Sequence, residues 1–184
     1  TSFDFSGLKE IPNYAFSGCE SLSSLSNIGN ITTIGDYAFN ATAENVSFNS
    51  FSSLTSIGDG AFANNKNLTG VTFNSKLTKI GTFAFKGCTA IPNVSFANVL
   101  QPVTVGDEAF SGCTKIATLI IPELSIYCKF DYVGGTSNPL WDAYNAGVAT
   151  VIKTNSATIT DLVIPGTITR VNDFCFCKNT NIKT

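Results

Sequence analysis

The chain has 184 residues, a net charge of −2 and only 13% charged residues. That length suits one domain of ordinary size, and so few charges with a net negative balance argue against a nucleic-acid binder, which needs a basic face. No apolar run reaches the roughly 18 residues a membrane-spanning helix needs, and the polar surface must come mainly from Ser, Thr and Asn.

In chain order, FDF (3–5) is a candidate first strand, followed by IPNYAFSGC at 11–19 and the apolar alternation LSSLSNI at 22–28. Then come ITTI (31–34), IGDYAFNAT (34–42), ENVSF (44–48), LTSI (54–57), IGDGAFANN (57–65), LTGVTF (68–73) and LTKI (77–80). The series continues with IGTFAFKGC (80–88), IPNVSF (91–96), VGDEAFSGC (105–113) and IATLIIP (116–122); TDLVIP (160–165) and a diverged VNDFCFCKN (171–179) repeat it near the end. The alanines Ala15, Ala38, Ala61, Ala84 and Ala109 recur in steps of 23, 23, 23 and 25, and the next equivalent, Cys175, lies 66 residues on, the length of three steps of 22. A fixed period in the twenties means one small unit per repeat, stacked into a solenoid.

Each unit reads as a strand with period-two alternation, a second short extended piece, then a tight Ala-Phe turn. Asn13, Asp36, Asp59, Thr82, Asp107 and Asp173 stand two residues after the leading Ile or Val, and all are helix N-cap types. The Ala-Phe segment is therefore expected to be one helical or 3₁₀ turn entered through a cap, with Gly35, Gly58, Gly81 and Gly106 at a sharp bend before it. The rings of Phe16, Phe39, Phe62, Phe85, Phe110 and Phe176 are expected to point inward and stack on one another, each burial contributing roughly 2–3 kcal/mol. Cys19, Cys88 and Cys113 share one slot of the repeat with Thr42 and Asn65, which favours small interior side chains over disulfides, although a Cys88–Cys113 bridge between adjacent turns is conceivable. Cys175-x-Cys177 without any His makes a poor zinc site, so no metal and no cofactor are expected.

The pattern I-G-x-x-A-F-x-G-C-x-x-L, with LIIPE (119–123), SNPLWDA (137–143) and TDLVIPGTITRVNDFCF (160–176), closely resembles the BspA-like, or Treponema pallidum-type, leucine-rich repeats. The resemblance covers essentially the whole chain and is weakest over 123–159. It implies a strand-rich α/β fold: a right-handed solenoid with a parallel sheet on the concave face and short helical or 3₁₀ turns on the convex side. Regular repeats would run over 1–122, irregular ones over 123–159, and a regular repeat would resume over 160–184. Because NTNIKT at the end starts another strand, the chain is expected to be a piece of a longer solenoid. Relatives of this kind are typically surface or secreted proteins, several of them implicated in adhesion to host proteins or other microbes. The resemblance thus implies an extracellular or cell-surface module for a protein or glycan partner, or alternatively a spacer in a larger surface protein.

Alternation places Val46, Phe48, Leu68, Val71, Phe73, Val94, Phe96, Leu119 and Ile121 inward. It places Ser26, Ser47, Thr72, Ser95, Ile120 and, in a later strand, Val163 outward, where they are either a plain solvated face or a contact surface with an apolar patch at Ile120 and Val163. Segment 123–159 holds Tyr127, Phe130, Tyr132, Trp141 and Tyr144; Tyr132, Trp141 and Tyr144 suggest interface anchors, while the alternative is two degenerate turns whose aromatics fill an irregular core. Sequons at Asn30, Asn40, Asn45, Asn67 and Asn93 matter only in a eukaryotic secretory pathway. Catalysis is not expected, because there is no His and no Gly-rich phosphate loop, and four of the thirteen acids (Asp36, Asp59, Asp107 and Asp173) have structural explanations.

Overall fold

The computed structural model describes residues 2–22, 24–42, 50–154, 157–160, 162–180 and 182. Among the described residues the strands are short and fall into two series. The alternating segments supply β1 (Ser2–Asp4), β3 (Ser24–Ser26), β6 (Val71–Thr72), β8 (Asn93–Ser95) and β10 (Thr118–Ile120), and the series ends with β12 (Val151–Lys153), upstream of the TDLVIP stretch where the later strand is expected. The second extended pieces supply β2 (Glu10–Ile11), β4 (Thr33–Ile34), β5 (Ser56–Ile57), β7 (Lys79–Ile80), β9 (Thr104–Val105) and β11 (Asp131–Tyr132). Every pair is parallel and joins equivalent positions of successive described turns, which is how a solenoid closes its hydrogen bonds. The sheets are β1-β3, β6-β8-β10-β12, and the six-stranded β2-β4-β5-β7-β9-β11. ENVSF, with Val46, Ser47 and Phe48, lies outside the described residues.

In-register stacking brings each residue onto its counterpart, so the second strands form one buried column of Ile11, Ile34, Ile57, Ile80, Val105 and Tyr132. A parallel column of Phe16, Phe39, Phe62, Phe85 and Phe110 stacks with centroids 5.1–5.5 Å apart and planes within 14°. Phe176 does not continue that stack; it meets the edge of Tyr127 at 5.5 Å and 76°, and is only partly buried.

The Ala-Phe segments are not helical. Their N–H groups alternate: Phe16, Phe39, Phe62 and Phe85 donate to the carbonyls of Ala38, Ala61, Ala84 and Ala109 in the following turn, while Ala38, Ala61, Ala84 and Ala109 donate three residues back within their own. Tyr14, Tyr37, Phe83 and Glu108 adopt left-handed conformations with φ of 49–58°, which no continuous right-handed helix accommodates. A neighbouring turn supplies hydrogen-bond partners that an isolated helical turn would lack, and so the stacked form wins. Three of the residues expected as N-caps serve that stacking too. Asn13, Asp36 and Asp59 each accept, through Oδ1, the N–H of Asp36, Asp59 and Thr82 at 2.7–2.9 Å.

Gly35, Gly58, Gly81 and Gly106 answer a close approach and not a bend. At Gly81 an added Cβ would lie 2.5 Å from Asp59 Oδ1 and 2.6 Å from the Asp59 nitrogen. The cysteine slot has an equally specific purpose. Cys88 and Cys113 donate through Sγ to the carbonyls of Phe62 and Phe85 at 3.0 and 3.1 Å, and Asn65 Nδ2 donates to those of Phe39 and Phe62. A buried carbonyl left unpaired costs about 1–3 kcal/mol, so the slot takes any small side chain that can donate. All six cysteines are free.

The 66 residues between Ala109 and Cys175 make two enlarged turns, not three ordinary ones. β11 pairs directly with β9, β12 pairs directly with β10, and residues 172–175 pack straight onto 127–138. The enlarged turn carries α1 (Leu124–Tyr127), a 3₁₀ turn at 135–137 and α2 (Trp141–Asn145). After β12 the chain doubles back through an antiparallel bridge between Lys153 and Thr158. Residues 162–165 consequently form no strand: they follow β12 too closely to build the next turn of the sheet.

Candidate functional site

The four-stranded sheet sets two registered rows outward. Thr72, Ser95, Ile120 and Lys153 form one; Asn93, Thr118 and Val151 form the other. Thr72, Ile120 and Lys153 are half-buried. Ser95, expected at the surface, is buried, because its short side chain sits between the longer Thr72 and Ile120 in register. Val163 is 76% exposed but stands off the sheet, so it does not extend the row beyond Lys153.

The aromatic candidates separate from this row and from one another. Tyr132 is not an anchor. It is the last member of the buried Ile column, with its hydroxyl 3.4 Å from that of Tyr127. Tyr127 donates its O–H to the Cys175 carbonyl at 2.6 Å, and burial pushes both phenols well above their ordinary titration range. Trp141 and Tyr144 lie on α2, which Asp142 ties to the Ala-Phe turn through Gly112 N–H at 2.6 Å. Lys178 Nζ sits 4.8 Å from the Trp141 ring centre and 4.9 Å from that of Tyr144, an internal cation–π contact that occupies both rings. Trp141 is half-buried and Tyr144 is 40% exposed.

At the C-terminal ends of the strands the outward row runs into a groove of about 530 Å³. Ala97, Val99 and Leu100 follow β8; Ile121, Pro122 and Glu123 follow β10; Ile126 of α1 and Thr154 after β12 complete it. Leu100 is 71% exposed on its lip, and Glu123 is the acidic residue of the lining. Sequence reasoning missed Leu100 and Ile126. The signal was the 25-residue step from Ala84 to Ala109, whose extra length falls beside Leu100.

Cys113, Cys175 and Cys177 offer little chemistry. Burial pushes Cys175 up to about 12 and Cys177 to about 11, and Cys113 is raised by its contact with Cys88 and by burial. Thiols held neutral are poor nucleophiles and poor metal ligands. Among the described residues no group of three or more His, Cys, Asp or Glu side chains could hold a metal ion, and no helix is long and apolar enough to cross a membrane.

A family model described as a BspA type leucine rich repeat region matches six copies over residues 9–130 and 153–184. The internal unmatched stretch, 131–152, falls within the enlarged turns. The chain is similar to a crystal structure of a T. pallidum leucine rich repeat protein, at 24% identity and a TM-score of 0.55, over 66% of this chain and 57% of that one. It is also similar to a leucine-rich repeat protein from Bacteroides ovatus, at 23% identity and a TM-score of 0.47, over 67% of this chain and 37% of that one. The chain thus spans little more than half of the first structure's length and about a third of the second's. No curated protein sequence matches it.

Proposed function

Because the chain belongs to the BspA-type leucine-rich repeat family, we propose that it is a non-catalytic binding module of the cell surface or extracellular space, of the kind used in adhesion. Its partner is a protein, contacted through the groove beside Leu100 and the outward row of the four-stranded sheet. The observation that carries this reading is their continuity. The row Thr72, Ile120 and Lys153 leads along the strands into an apolar groove with an exposed leucine at its lip and a carboxylate on its wall. Such a surface suits an extended segment presenting an aliphatic side chain beside a basic one. Trp141 and Tyr144, engaged by Lys178, contribute less.

The test is an array of extracellular matrix, serum and bacterial envelope proteins, probed with wild type, Leu100→Asp, Ile120→Asp and Trp141→Ala. A partner bound by wild type should lose at least about tenfold in affinity with each Asp variant, about 1.4 kcal/mol, and much less with Trp141→Ala. Binding by none of the four would leave the chain as a spacer within a larger surface protein.

A further inference from the structure

A second trough, of about 520 Å³, lies away from that groove, across the loops that enter the six-stranded sheet. Two columns of the repeat line it: Gly7, Asn30, Ser53 and Lys76, and Lys9, Thr32 and Thr55, with Leu8 beside them. Within each column the residues are 23 apart, so each rung is one turn of the solenoid. At the 4.7–4.9 Å spacing of paired strands, Lys9 and Lys76 bracket about 14 Å of hydroxyl- and amide-bearing floor. No carboxylate lines the trough, both lysines are exposed, and neither forms an ion pair among the described residues.

The floor has a directional chemistry. Thr32 Oγ1 donates to the Lys9 carbonyl at 3.1 Å and Thr55 Oγ1 donates to the Thr32 carbonyl at 2.9 Å. Their protons are committed to the backbone, so these hydroxyls face a ligand as acceptors. A ligand complementary to the trough brings hydrogen-bond donors to Thr32 and Thr55, can present acceptors to the Asn30 amide and the Ser53 hydroxyl, and carries anionic groups toward both ends. Closely spaced hydroxyls with sulfate or carboxylate groups meet that requirement. We propose that this trough binds a linear acidic glycan, the Lys9 and Lys76 ammonium groups holding its anions and the Thr32 and Thr55 hydroxyls accepting from its sugar hydroxyls. The proposal does not depend on the protein-binding reading of the other face.

The probes are a heparin-derived octasaccharide, which carries sulfate, a hyaluronan octasaccharide, which carries uronate alone, and an octaglutamate peptide. Titration calorimetry at 50 mM and 150 mM NaCl compares wild type with Lys9→Gln/Lys76→Gln and with a charge-matched control, Lys115→Gln/Lys129→Gln, at exposed positions elsewhere. Thermal melts check that all three fold alike. Wild type and control should bind at least one glycan, with the Lys9/Lys76 double variant at least about tenfold weaker and less salt-dependent. Tighter binding of the heparin fragment would assign sulfate as the anion, and equal binding would assign uronate. Octaglutamate binding as tightly as the glycans, equal loss in both double variants, an unchanged affinity in Lys9→Gln/Lys76→Gln, or no glycan binding at 50 mM NaCl would each overturn the proposal.

Discussion

The regular turns of residues 9–113 and the enlarged turns of residues 124–180 both bury one face of a small unit against its neighbours, and they do so by opposite means. The regular turns set like on like. Five Phe rings stack nearly parallel, and Ile lies on Ile. The enlarged turns set unlike on unlike. Tyr127, Phe130, Tyr132 and Phe176 meet tilted or edge to face, and the side-chain bonds to backbone carbonyls, which in the regular turns recur at repeated positions, are here each different: Tyr127 to Cys175, Asn138 to Phe174, Thr150 to Lys178. Even the obligatory glycine is gone, because Val133, 58% exposed, donates to the carbonyl of Val105 just as Gly106 does to that of Ile80. Repetition makes the contact of one turn the contact of every turn. Where it fails, each contact has to be specified by a separate residue.

The sharpest way to break this contrast is through its rings. Phe62→Ala removes a fully buried member from the middle of the stack and should cost about 4 kcal/mol in urea denaturation, whereas Phe176→Ala, at a partly buried edge contact, should cost about half as much. Equal costs would mean that the stack carries no special weight. The glycine column comes next. Gly81→Val should cost about 3 kcal/mol by forcing turns apart, while Val133→Gly should change the melting midpoint little. Tyr127→Phe leaves the Cys175 carbonyl with a partner fewer inside the enlarged turns, and should lower stability by about 1–2 kcal/mol without changing the regular turns' hydrogen-exchange protection.

The smallest effect concerns pH. Burial holds the Cys175 thiol up to about 12, against an ordinary 9.0 in the unfolded chain. The folded state therefore keeps a proton that the unfolded state gives up. Stability is fully present below pH 9 and drains as pH rises from 9 toward 12. Cys175→Ala restores the alanine of the regular repeat, so it should change stability at pH 7 by less than about 1 kcal/mol and flatten the fall of the melting temperature between pH 9 and 10.5.

The regular half of the fold was legible in the sequence because in-register stacking requires the same residue at the same position, and such a requirement is visible as a period. The Phe column and the short strands could be read directly. What the cap-type residues and the glycines touched could not, since Asp59 and Gly81 act on neighbours one turn away and local chemistry names only a local partner. The site was less legible. Thr72 and Ile120 follow from alternation, but whether Ser95 is covered depends on the lengths of its neighbours across two strands. Tyr132 looked like an anchor only while 123–159 was read as a unit outside the ladder. Once β11 is paired with β9, it becomes the next rung after Val105.

The alternating hydrogen bonds of the Ala-Phe segments bear on how such a protein changes over generations. Each regular turn offers its successor the same set of donors and acceptors that its predecessor offered it. A tandem duplication of 23 codons anywhere in that stretch inserts a turn whose two neighbours are already complementary to it, and a deletion of the same length heals the same way. Length is therefore a cheap heritable variable on the regular side of the rod. The enlarged turns, whose partners are unique, offer an inserted copy no such ready-made neighbours.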